Sequence, residues 1–330
     1  MMIILSENQI KEIYSMKDAI EDLEKALVWN TEGEIANPHR TVFDYPAKKA
    51  SALYMPSSIG PIRKSAVKVV TIFPENPSYG KKTTQGVILL TDTENGDHLA
   101  CINASYLTRL RTGAASAIAA DYLARKAASS VAVIGCGAMA EEQLKGVMEV
   151  RKIDSILLYN RTEAKARNFA GKIGQWHPEF SGEITIEKDA NDAVSKADMV
   201  ICSTRSETPV FSGEALKQGA HINGVGSYLP HMQEVDETTV LKAGKIVVDT
   251  VQGAKEEAGD LLVPANAGRW DFSSLHGELG EMVSRQIPGR EDETEITFFK
   301  SVGTAYFDLA VAASVYEKAV KAGAGTQVEM

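Results

Sequence analysis

The residues with the plainest chemical meaning run from 131 to 140: Val131-Ala132-Val133-Ile134-Gly135-Cys136-Gly137-Ala138-Met139-Ala140. A β-branched run ends in Gly-x-Gly-x-x-Ala and passes directly into a helical pattern. At this spacing Gly135 permits a tight turn, and Gly137 lets backbone approach a pyrophosphate. Ala140 lets the helix pack close to the strand, so that the helix N-terminus, opened by Ala138 and Met139, faces the phosphate charge. The motif predicts dinucleotide binding; the bland alternative is a tight turn with no ligand. A second strand follows at Ser155 to Tyr159, and its end decides which dinucleotide. NAD-preferring folds usually present a carboxylate there for the ribose hydroxyls. This chain has Asn160-Arg161-Thr162. Arg161 can pair with a 2′-phosphate while Asn160 and Thr162 hydrogen-bond to it, so NADPH is the expected cofactor, with NADH also admissible. The competing reading makes Arg161 a solvated residue at a helix start.

Three isolated cations, Arg40, Lys68 and Arg111, stand in apolar or loop segments. Lys68 has Val67, Val69 and Val70 around it in a strand pattern. A buried lysine without a partner is costly, so Lys68 either meets an anion and acts chemically, or lies solvated on an edge strand. Arg111-Thr112-Gly113-Ala114 is expected to open an Ala-rich helix, placing Arg111 where it can face a phosphate or carboxylate. Arg40 follows Pro38-His39 on a loop. The six histidines show no metal-ligand spacing, and no metal is expected. No serine or cysteine has the local context of a hydrolase nucleophile. Cys101, Cys136 and Cys202 are odd in number and widely spaced, which reads as apolar filler in a reducing compartment rather than disulfides. The charged run Gly289-Arg290-Glu291-Asp292-Glu293 reads as a solvated turn.

These residues need a scaffold, and the chain spells out two textures. Helical periodicity covers 7–30, followed by short β-type runs at 41–43, 51–55, 66–71 and 84–90. An Asn95-Gly96 pair there signals a hairpin. An Ala-rich helix is expected over 114–128. Beyond it, strand candidates at 130–134, 155–159, 183–187, 198–203, 221–225 and 245–249 alternate with helices such as 139–150 and 162–173. Short apolar strands alternating with helices imply a parallel sheet covered on both faces. The fold class is therefore α/β: a Rossmann doubly wound parallel sheet plus a mixed α+β domain. The helical stretch 304–322 is expected to return to that second domain, giving domains at 1–118 with 304–330 and at 119–303.

The 330 residues suit two domains sharing a cleft. A net charge of −9 with no basic run argues against nucleic acid. No apolar run approaches the roughly 20 residues of a membrane span. The N-terminus has neither the basic region nor the cleavage pattern of a targeting peptide, so a cytoplasmic location is expected.

Taken together, the chain resembles the ornithine cyclodeaminase/mu-crystallin family over nearly its whole length. The resemblance is carried by Met55-Pro56, Lys68 in its strand, Arg111-Thr112-Gly113-Ala114, the Gly135-Cys136-Gly137 loop and His221-Ile222-Asn223-Gly224-Val225-Gly226. Gly259-Asp260, Glu278-Leu279-Gly280 and Phe299-Lys300-Ser301-Val302-Gly303 add to it. It implies a homodimer whose mixed domain is completed by the C-terminal helix. It also implies that Arg40, Lys68 and Arg111 serve the substrate carboxylate and active site, that Thr83 and Arg111 contact cofactor, and that Val225 and Ser301 lie near the nicotinamide. Where cyclodeaminases and archaeal alanine dehydrogenases of the family carry an Asp, this chain has Tyr228, a candidate substrate-pocket residue. The family lysine a few positions on is Met232. The Asn-Arg-Thr after strand two is similar to the ketimine-reductase branch. The expected function is NAD(P)H-dependent reduction of cyclic ketimines such as Δ1-pyrroline-2-carboxylate or Δ1-piperideine-2-carboxylate, with Lys68 catalytic. The rivals are ornithine cyclodeamination, amino-acid dehydrogenation, and a binding protein that holds NADPH without turnover.

Overall fold

The computed structural model describes residues 1–329. The chain divides into two compact units, Met1–Arg111 with Thr304–Met330, and Thr112–Gly303. The first unit is built on an eight-stranded sheet. Its strands are β1 (Met2–Leu5), β2 (Ile35–Ala36), β3 (Thr41–Tyr45), β4 (Ala50–Ile59), β5 (Lys64–Ile72), β6 (Thr84–Asp92), β7 (His98–Asn103) and the last strand, Thr326–Val328. The order is last strand–β1–β7–β6–β5–β4–β2, with β3 also paired to β4. The β1–β7 pair is parallel and its neighbours antiparallel. This order settles one open question: β5 lies between β4 and β6, so Lys68 is on an interior strand and the edge-strand reading fails.

Where one helix was expected over 7–30, two form: α1 (Glu7–Ile13) and α2 (Met16–Thr31). Ser15 accepts from the Asp18 N–H while the Asp18 carboxylate accepts from the Ser15 N–H, and this capping box restarts the helix after an extended Tyr14. The C-terminal helix Ala305–Ala322 packs on β4, β5, β6 and α2. Its Phe307, Val311, Val315 and Ala319 are buried, as their spacing predicted.

A second correction concerns helix α3, which spans Ala104–Leu123. It begins at Ala104 rather than Ala114, because the Asn103 side chain accepts the Tyr106 N–H and starts the helix directly after β7. Arg111 therefore sits mid-helix and opens nothing. Gly113 is not a break: a Cβ on Gly146 would stand 2.4 Å from the Gly113 carbonyl oxygen, so the small residues serve close helix contact.

The second unit carries eight parallel strands, β8 (Ser130–Ile134), β9 (Ser155–Tyr159), β10 (Glu183–Ile186), β11 (Met199–Cys202), β12 (His221–Gly224), β13 (Ala243–Val248), β14 (Gly277–Glu278) and β15 (Ile296–Lys300). The order β10–β9–β8–β11–β12–β15–β13–β14 reverses direction between β8 and β11, as in a Rossmann fold. Alternate residues of one strand enter different cores: Ala132 and Ile134 on one face, Val131 and Val133 on the other. Helices α4 (Ala138–Val150) and α5 (Glu163–Trp176) belong to this unit.

Strand β15, between β12 and β13, escaped the sequence reading because Thr297 and Lys300 interrupt its apolar run. Both polar groups are satisfied internally: Thr297 Oγ1 meets His221 Nδ1 at 2.9 Å, and Lys300 has partners of its own described below. Burial holds His221 down to about 3, so this ring is neutral and structural. Residues 289–293 are more than a solvated turn. Arg290 donates to the carbonyls of Leu123, Asp292 and Glu295 and to the Thr297 hydroxyl, strapping the segment to the sheet.

Candidate active site

The Gly-rich loop sits where sheet order reverses. Gly135 has φ +91°, a left-handed conformation that favours glycine, and a Cβ there would stand 2.6 Å from Thr204 Cγ2 on the loop after β11. Ser203 fastens the two loops by donating its hydroxyl to the Gly135 carbonyl at 3.1 Å. Between them lies a cleft of roughly 630 Å³, lined by Gly135, Cys136, Gly137 and Asn160 to Thr162 on one side and by Ser203 to Val210 on the other. The Asn160 side chain accepts the Cys136 N–H at 3.1 Å and donates to the Thr162 carbonyl at 2.9 Å, so it ties the end of β9 to the loop. Arg161 is exposed at the cleft, with Lys165 and Arg205 also on its lining.

The residues present fit a dinucleotide. A Cβ on Gly137 would meet nothing within 4 Å, so open space stands beside this backbone. Helix α4 starts without a side-chain cap, whereas α1 and α2 are closed by capping boxes. Its first N–H groups, at Ala138 and Met139, are thus left for an anion. Ala140 is fully buried against the sheet, as close packing of helix on strand requires. Cys136 is no nucleophile, since burial pushes its thiol up to about 12.

A second cluster lies in the first unit. Lys68 is 3% exposed, and its Nζ is 2.5 Å from Asp308 Oδ2 on the C-terminal helix. Arg111, on α3, donates from Nε to the other Asp308 oxygen at 3.2 Å. Its Nη1 is buried and has no hydrogen-bond partner. Desolvation, opposed by Asp308 and reinforced by the positive fields of Arg111 and Arg40, lowers Lys68 to about 8. Two buried cations thus share one carboxylate, with the positive field of Arg40 reaching Lys68, and an anionic ligand would complete the balance. Asp308 is the residue sequence reasoning missed. The signal was a lone carboxylate in the apolar first turn of a helix whose buried face it shares with Phe307 and Val311.

The remaining predicted residues fall in known places. Val225 follows β12, buried, with its N–H on the Cys202 carbonyl. Ser301 follows β15 and donates its hydroxyl to Asp249 at 2.8 Å. Tyr228 is half-buried against the core of the parallel sheet. Neither Val225, Tyr228 nor Ser301 lines the Gly-rich cleft. Thr83 precedes β6 and accepts the Phe73 N–H on its carbonyl.

Behind Val225 and Tyr228 lies a buried polar hub. Glu234 accepts from the N–H groups of Thr204, Gly226 and Ser227 and from the Thr204 hydroxyl. Lys300, fully buried, reaches Asp260 at 2.7 Å and both oxygens of Ser227 at 2.5 Å. Asp260 in turn accepts the Glu234 and Val235 N–H groups. The loops after β11 and β12 and the end of β15 are therefore held by charge-assisted bonds at the carboxyl ends of the strands, where such sheets bind ligands. Among the described residues no group of His, Cys, Asp and Glu is placed to hold a metal ion, and no helix is long and apolar enough to cross a membrane.

Comparison with known proteins extends over the whole chain. It is 40% identical over 328 residues to a Δ1-pyrroline-2-carboxylate reductase of Bacillus cereus, covering 99% of this chain and 100% of that one. The structure of the Δ1-pyrroline-2-carboxylate reductase of Thermococcus litoralis, in complex with NADH and L-proline, matches with a TM-score of 0.95 at 38% identity, covering 99% and 100% of the two chains. An archaeal alanine dehydrogenase dimer with bound NAD matches with a TM-score of 0.93 at 32% identity, covering 99% of each. The model of the ornithine cyclodeaminase/mu-crystallin family matches residues 1–323, and the chain belongs to that family.

Proposed function

We propose that this protein is an NADPH-dependent reductase of cyclic ketimines bearing a carboxylate beside the imine carbon, such as Δ1-pyrroline-2-carboxylate and Δ1-piperideine-2-carboxylate. The observation that carries the reading is the buried cluster in which Lys68 and Arg111 share the single carboxylate of Asp308, with Arg111 Nη1 lacking a partner. A planar substrate carboxylate supplies the missing acceptor. The Δ1-pyrroline-2-carboxylate reductases among its relatives support the choice of a cyclic ketimine.

In this account Arg111 and Arg40 bind the carboxylate and fix the ring. Lys68, largely protonated at neutral pH, donates a proton to the imine nitrogen and recovers one from solvent. The reduced nicotinamide, when bound, supplies the hydride that adds to the imine carbon, so that C=N becomes CH–NH. The hub behind Val225 and Tyr228 keeps the loops of the dinucleotide unit rigid. Tyr228 lacks the carboxylate charge that would attract a second ammonium, as in ornithine, and offers a ring face instead.

The choice of NADPH rests on Arg161 in place of an acidic residue, although the Thermococcus litoralis relative holds NADH. The same reading includes a homodimer, supported by the exposed apolar side chains Val42, Phe43 and Tyr45 on β3. It also includes a cytoplasmic location, supported by three free cysteines. The test follows absorbance at 340 nm with each imine and each reduced cofactor. Oxidation of NADPH that depends on the imine is expected. No oxidation with either imine would refute the proposal.

A further inference from the structure

We infer that Asp308 is a positioning residue, one that keeps Lys68 charged as the proton donor and aims the outer nitrogen of Arg111 at the substrate carboxylate. The inference deepens the proposed function and rests on it.

The carboxylate of Asp308 is 1% exposed and forked: one oxygen takes Lys68 Nζ, the other Arg111 Nε. Holding Nε fixes the plane of the guanidinium, because a planar group with one edge engaged has its other nitrogens placed as well. What that leaves is Nη1, buried and without a hydrogen-bond partner. An unmet buried donor is unfavourable in the free protein and becomes favourable when a ligand oxygen arrives. The same carboxylate stands between two positive groups that would otherwise repel. The charged groups facing Lys68 are Asp308 from the C-terminal helix, Arg111 from α3 and Arg40 from the segment before β3. The paired positions on neighbouring strands are Met55 and Ile88, which bring no charge. Asp308 is thus the sole negative charge among those groups, and both arginines oppose the protonated lysine. Asp308 lies in the first turn of its helix, where the N-terminal dipole favours a negative charge.

The test compares the wild type with Asp308→Asn, of the same size but uncharged, and Asp308→Glu, which keeps the charge. The readouts are the pH profile of kcat/KM for imine reduction, the KM for the imine, the Kd for NADPH and the circular dichroism spectrum. In Asp308→Asn the alkaline limb should move down by about one to three pH units, costing at least about fivefold in rate at pH 8. The KM for the imine should rise while the NADPH Kd stays unchanged. Asp308→Glu should restore the limb toward that of the wild type. An unmoved limb and unchanged KM in Asp308→Asn overturn the inference, and so does loss of the folded spectrum, which would make Asp308 a folding residue. A wild type that reduces neither imine overturns the functional reading and this inference together, whereas an active wild type with an unmoved limb overturns this inference alone.

Discussion

Lys68 carries charge where charge is expensive, and as the proposed proton donor its environment would limit activity at high pH. Burial and two neighbouring arginines lower it to about 8, against which Asp308 alone pulls upward. The donor is needed protonated, so kcat/KM should hold steady below that value and fall as pH rises through about 8. Replacing it by the similarly sized Met should lower turnover by about 10²- to 10⁴-fold, the usual worth of a general acid. The NADPH Kd, measured by fluorescence titration, should change little. A nearly silent Lys68→Met would remove Lys68 from the chemistry. At Arg161 the prediction concerns selectivity. A charge-assisted contact to the 2′-phosphate is worth about 1.5–3 kcal/mol, so Arg161→Ala should erode the preference for NADPH over NADH about 10- to 100-fold. Equal affinities for the two cofactors in the wild type would contradict the role given to Arg161.

At the scale of elements, what was legible in the sequence had a local cause. The Gly135–Ala140 motif, the strands around it and the C-terminal helix follow from turn chemistry and periodicity, and they stand where the pattern put them. Three features did not follow. The break at Tyr14 depends on a capping box that a continuous periodic pattern conceals. The early start of α3 depends on an Asn103 cap, while Gly113 looked like a boundary and is a contact. Strand β15 is held by polar groups that find partners only in the folded sheet, so no apolar run announces it. The same holds at the candidate site: Lys68 and Arg111 were legible as odd residues, but their common anion lies 240 positions from Lys68. Lys300 was legible only as a motif match, and its structure gives it a different task from Lys68. Its partners are Asp260 and Ser227 rather than an incoming ligand, so Lys300→Met leaves Asp260 buried without its cation. Unfolding in urea should show a loss of about 3–5 kcal/mol. A loss under about 1 kcal/mol would mean the hub does not hold these loops.

For the whole molecule, the proposed function divides the work between two units: a cleft of the parallel sheet for the dinucleotide, and a cation cluster of the mixed unit, with Arg111 Nη1 unpartnered, for the substrate. The proposed dimer would cover the exposed apolar side chains of β3. Phe43 is 54% exposed there, which suits a surface covered by a second copy. Phe43→Arg should shift the protein from dimer toward monomer in light scattering, and a wild-type monomer at micromolar concentration would contradict the assembly. The central claim is the reaction itself, and a crossed assay tests it most directly. One arm offers ornithine and NAD+, with proline and ammonia measured; the other offers the two cyclic imines and NADPH, with the cyclic amino acids measured. The proposed reaction requires that proline or pipecolate form from the imines, with little ammonia from ornithine. Brisk proline and ammonia formation from ornithine, with neither imine reduced, would contradict it.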